Sequence, residues 1–137
     1  MIHPFPFDER RLAYVVRLLA PAVCEGTGLR AASGECLRWS DIQRVLCADV
    51  GEPEGVRTLV FDLVLDVRPD EVRVARVDAD PGPAAQALAG ALLQGLPGDC
   101  SDAELREVAK DGLTNRWFPD LESFEDANTA QLERELG

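Results

Sequence analysis

One stretch dominates what this chain can become. Val56–Val67 reads VRTLVFDLVLDV, with Leu59, Phe61, Leu63 and Leu65 alternating with Val60, Asp62, Val64 and Asp66. A two-residue period belongs to a β-strand; a helix would scatter these side chains around its circumference. One face is wholly apolar and the other mixed, as in a central strand of an antiparallel sheet. Arg68-Pro69-Asp70 then turns the chain. Glu71–Asp78 (EVRVARVD) is expected to alternate again, with Val72, Val74 and Val77 set against Arg73, Arg76 and Asp78. Strands this close in sequence pair antiparallel, because a parallel pair needs a crossover of a dozen residues or more.

The flanking segments extend this pattern. Thr27–Ala32 and Glu35–Trp39 read as a hairpin turning at Ser33-Gly34. Ser40-Asp41 is a one-turn break, and Ile42–Val50 is a further strand with Val45, Cys47 and Val50 towards one face. Gly51-Glu52-Pro53-Glu54-Gly55 is a loop. Nearer the N-terminus, Met1–Phe7 carries two prolines and reads as an extended arm with Phe5 and Phe7 against the body. Leu12, Val15, Val16 and Leu19 fall at helical spacing behind Asp8 as N-cap, so a helix ending near Pro21 is expected, although the stretch is rich in β-branched residues.

A helical part follows the sheet. Ala84–Leu96 sets Ala85, Leu88, Leu92 and Leu96 on one face beside Ala89 and Leu93, and should lie across the sheet. Ser101-Asp102-Ala103-Glu104 has the pattern of a capping box, and Gly112 suits a left-handed helix terminus. Leu113–Pro119 is a connector. A last helix spans about Asp120 to Leu136, with Leu121, Phe124, Leu132 and Leu136 on one side. The expected fold is α+β: an antiparallel meander of about five to seven strands, covered by the amphipathic helix and followed by an acidic helical tail. Residues 1–96 form the sheet-plus-helix domain in this reading, and residues 97–137 an acidic extension packed on it.

Gly28-Leu29-Arg30, Ser33-Gly34 and Leu37-Arg38-Trp39-Ser40-Asp41-Ile42, followed by three longer strands and a helix, resemble the bacterial pleckstrin-homology-like (PH-like) domains. The resemblance covers residues 10–96. It implies an open barrel plugged by its C-terminal helix, and strand rather than helix over Leu12–Cys24. Lipid binding does not carry over, because the loop Cys24–Gly28 holds Glu25 and no base. The role implied is a scaffold for protein contacts.

Charge narrows the partners. The 137 residues hold 25 acids and 14 bases, a net charge of -11. Nucleic acid and anionic lipid both require a basic surface, so neither is expected. Residues 101–137 carry ten of the acids and four of the bases. No apolar run reaches the length of a membrane span. Met1–Arg11 lacks the apolar core of a signal peptide. No two of Cys24, Cys36, Cys47 and Cys100 form a C-x-x-C pair, so reduced thiols in a cytoplasmic protein are expected.

Catalytic patterns are sparse. His3 is the one histidine, and neither phosphate-cradling glycine motif occurs. Asp62 and Asp66 share a strand face about 13 Å apart, too far to share a proton, and read as a solvated outer face. Trp117-Phe118-Pro119-Asp120 places two large aromatics in a connector. Such residues either anchor a partner or pin the last helix to the body. Trp117, Phe118, Asp120 and Phe124 are therefore the interaction candidates, with no catalytic, metal or cofactor-binding residue assigned and no cofactor expected. The function expected is a non-enzymatic intracellular protein-interaction module whose partner is a basic protein, with self-association as a further option. An immunity protein or secretion chaperone neutralising a basic partner is the alternative within binding proteins. A carboxylate–metal enzyme is the alternative among catalysts.

Overall fold

The computed structural model describes residues 12–19, 22–98 and 102–136. It is α+β, with eight strands in two sheets and three α-helices among the described residues. The strands are β1 (Ala13–Leu18), β2 (Ala22–Glu25), β3 (Gly28–Ala31), β4 (Cys36–Arg38), β5 (Arg44–Gly51), β6 (Arg57–Val67), β7 (Glu71–Ala79) and β8 (Trp117–Phe118). The helices are α1 (Pro83–Gly95), α2 (Ala103–Asp111) and α3 (Leu121–Leu136).

The meander β5–β6–β7 is antiparallel, as the strand spacing requires. Its two flanks differ from the expected topology. β1 adds to β7 and β8 adds to β5, both in parallel, giving a mixed five-stranded sheet ordered β1-β7-β6-β5-β8. The hairpin β3–β4, with β2 beside it, forms a separate three-stranded antiparallel sheet. The sheets do not close into a barrel.

Leu12–Leu19 is not a helix. Ala13–Leu18 is a strand, and its β-branched Val15 and Val16 suit a pleated edge better than a helical turn. The apolar positions that matched a helical stripe belong to two faces of a strand: Tyr14 and Val16 pack in one core, while Val15 is exposed on the other side.

The five-stranded sheet is covered on both faces. On one, Val45 and Cys47 of β5, Leu59, Phe61 and Leu63 of β6, and Ala75 and Val77 of β7 meet α1, α2 and the small sheet. Pro83 opens α1, where its missing N–H costs nothing, and Ala85, Ala89 and Leu92 are its buried positions. On the other face Val64, Val72, Val74 and Leu46 meet Leu132 of α3. Ala48, Val50 and Val60 meet Phe124 on that same side. Val50 thus lies opposite Val45 and Cys47, not beside them. α2 ends at Gly112, whose φ of 77° is left-handed as the sequence suggested. Ser101 and the arm Met1–Phe7 lie outside the described residues, and Asp102, at the N-cap of α2, makes no side-chain capping bond.

The second face is where Asp62 lies, and it is not solvated. Asp62 is fully buried and receives Arg76 in a two-point pair, Nε to Oδ1 at 2.8 Å and Nη2 to Oδ2 at 2.9 Å. The Tyr14 hydroxyl donates to Asp62 Oδ2 at 2.6 Å, and Asn128 of α3 donates to that hydroxyl at 3.1 Å. Arg76 also reaches Glu125 of α3 at 2.9 Å. Strand face and helix are thus joined by a hydrogen-bonded polar seam between two apolar clusters. Asp66, by contrast, is half-buried beside Arg68.

Candidate interaction site at the Trp117 edge

The four interaction candidates lie at one edge of the large sheet. β8 is only two residues long. Asp49 N–H donates to the Arg116 carbonyl at 2.8 Å, and the pairings Asp49↔Trp117 and Val50↔Phe118 follow. Strand alternation sends the two aromatics to opposite faces.

Phe118 turns inwards with Val50. Its ring centroid lies 5.6 Å from that of Phe124, tilted by 51°. The Arg116 guanidinium sits over both rings, at 5.0 and 5.4 Å, and donates to Asn128 Oδ1 at 2.8 Å. Phe124 is completely buried. Asp120 caps α3 by accepting the Ser123 N–H at 2.8 Å. That bond holds the Asp120 carboxyl below its ordinary pKa, with the Ser123 hydroxyl adding to the effect. Phe118 and Phe124 therefore fix α3 to the sheet, and Asp120 caps the helix.

Trp117 turns the other way and remains 38% exposed. Its indole Nε1 donates to the Gly51 carbonyl at 2.8 Å, and the Arg57 guanidinium lies 5.7 Å from the ring centroid. Arg57 in turn bonds Asp49 at 3.1 Å. Burial raises the Asp49 carboxyl above its ordinary pKa, and the Arg57 charge opposes that rise. The register Gly51↔Arg57 brings the loop 52–56 to the same place. Val56 in that loop is 89% exposed, and Leu121 at the start of α3 is 42% exposed. Exposed Glu52, Glu54, Asp120 and Glu122 stand in the same two segments. The result is an ordered, part-exposed indole beside Arg57, between two chain segments that carry exposed apolar residues and carboxylates.

Gly51, Arg57 and Arg116 were not among the candidates. Arg57 was findable in principle, since the loop Gly51–Gly55 joins two strands and must return the chain opposite its start. Arg116 gave no signal beyond preceding an aromatic pair. His3 and Cys100 lie outside the described residues. Among the described residues no group of three or more His, Cys, Asp or Glu is placed to hold a metal ion. Cys24, Cys36 and Cys47 are free thiols. No helix among the described residues is long and apolar enough to cross a membrane.

Compared with protein-family models, characterised proteins and solved structures, the chain matches none.

Proposed function

We propose that this chain is a non-enzymatic, cytoplasmic protein-interaction module that takes a basic protein partner at the Trp117 edge. The observation that carries the reading is the state of Trp117: exposed, yet held by a hydrogen bond to Gly51 and by the Arg57 cation. An aromatic already fixed in place loses little conformational entropy on binding, and such residues dominate interface energies. The flanking carboxylates and the net charge of -11 select a basic partner and speed its approach. Free thiols at Cys24, Cys36 and Cys47 suit a reducing compartment. A role as a scaffold for protein contacts is also what the PH-like resemblance implied.

Capture from native lysate at low salt, followed by kinetics with the purified partner, tests this. The partner should be basic, and its association rate should fall steeply with added salt. Trp117→Ala should weaken the complex by about 30-fold, the scale of a 2 kcal/mol contact, with the melting temperature little changed. A partner whose affinity ignores both salt and Trp117 would exclude this reading.

A further inference from the structure

The sheet has a second edge, at β1, and its main-chain groups are aimed away from the molecule. Ala13 N–H donates to the Asp70 carbonyl at 3.1 Å, and Leu19 N–H to the Arg76 carbonyl at 2.9 Å. In a strand, alternate residues point their main-chain groups to opposite sides. Odd-numbered residues of β1 therefore face β7, while the N–H and C=O groups of Tyr14, Val16 and Leu18 face outwards. Among the described residues no strand pairs with them.

Edge strands are normally blunted by lysines, proline or a bulge. Ala13–Leu18 carries Arg17 as its one charge and no proline. Leu18 is 68% exposed and Val15 44% exposed. Beside Val15 runs a groove of about 360 Å³ lined by Val15, Arg17, Leu65, Asp66, Arg73 and Val74.

We propose that a second copy of this chain docks along β1, with the two β1 strands antiparallel about a two-fold axis at Val16. Three observations select a second copy. First, the strand is self-complementary. Only outward-facing residues can form hydrogen-bonded pairs, so Val16 meets Val16 of the second copy and Tyr14 meets its Leu18. Directly opposed residues share a sheet face, so these apolar side chains all lie on the α3 side and cover one another. Second, Val15 on the other face meets Arg17 of the second copy, whose aliphatic stem can cover it. Third, the charge is balanced here. Two chains of net charge -11 repel each other, but around β1 Arg17 is matched by Glu35, Arg68 by Asp66 and Arg73 by Glu71. Around the axis at Val16, copies can therefore meet without a large excess of like charge; Asp70 and Glu133 lie at the Leu12 end of the strand.

Two short strands bury less than the roughly 1,000 Å² of a durable interface, so the dimer is weak and concentration-dependent. Sedimentation equilibrium of the full chain from about 1 µM to about 1 mM spans that range of affinity. The mass should rise towards that of two chains. Leu18→Glu, at an exposed position, should weaken association at least about tenfold while circular dichroism and the melting temperature stay unchanged. Hydrogen exchange at Val16 and Leu18 should slow as concentration rises. A monomer at every concentration overturns the proposal, and exchange at these amides that is slow at all concentrations would then show the edge covered by the chain itself. Association that persists unchanged in Leu18→Glu also overturns it.

Discussion

Asp62 faces Arg76 because one residue is out of step. Near the turn, Asp66 pairs with Arg73; beyond Leu65, which the register skips, Val64 pairs with Val74 and Asp62 with Arg76. Without that bulge Asp62 would oppose Val77, and a buried carboxylate would have no cation. Alternation in the sequence does mark Asp62 as lying on the mixed face. It cannot reveal the bulge, nor that a helix from residues 121–136 would cover that face. The pair predicts a specific pattern of mutational cost. Arg76→Met strands the buried Asp62 and should cost about 3–5 kcal/mol. The double variant Asp62→Leu/Arg76→Met removes both charges and should recover most of that loss. Urea denaturation of the two single variants and the double variant measures the coupling. A double variant as unstable as Arg76→Met would mean that the pair is valuable for its own attraction.

Elements with a regular pattern and a nearby partner were legible. β6, β7, the β3–β4 hairpin and α1 all lie within a few residues of their expected limits. The local pattern marked neither β1, expected as strand only through the PH-like resemblance, nor β8, and for a common reason. Each joins the sheet in parallel, next to a strand far away in sequence, so no local turn announces the pairing. β8 is also two residues long, too short for any period. Of the interaction candidates, the sequence located the aromatic connector but could not assign its members, because the decisive alternation between Trp117 and Phe118 exists only once they are strand. Close approach between elements was equally invisible. A Cβ on Gly95 would lie 2.2 Å from Cε2 of Trp39. The ring cannot simply swing aside, since its Nε1 donates to the Gly26 carbonyl at 3.0 Å. Alanine is the better helix former by about 1 kcal/mol in a helix interior, yet Gly95→Ala should destabilise the protein by about 1–3 kcal/mol through overpacking. A thermal melt of this single variant decides between propensity and packing, and an unchanged or raised midpoint would refute the steric account.

At the scale of the whole molecule, the layering of helices on a sheet was legible from composition and order of patterns. The second covered face was not, because α3 has few apolar residues and seats itself partly through Glu125 and Asn128. Cys47 reports on the integrity of the whole. It is buried beneath α2, and burial pushes its thiol up from 9 to about 12, with the Glu104 charge adding to the rise. Between those values the unfolded chain sheds the proton while the folded chain keeps it. The contribution is therefore intact below the ordinary value and is lost as pH rises, at up to about 1.4 kcal/mol per pH unit. Urea midpoints at about pH 8 and pH 10 should show this fall, and Cys47→Val should reduce it. An identical fall in that variant would place the titration elsewhere.

The covering of the sheet by α3 also sets an order of events during synthesis. The strands that carry Leu46, Val64, Val72 and Val74 leave the ribosome well before residues 121–136, which contribute Phe124 and Leu132 to that face. Until the helix emerges, the nascent sheet displays a bare apolar surface with the Asp62–Arg76 pair uncovered in it, which is the kind of intermediate that chaperones shield.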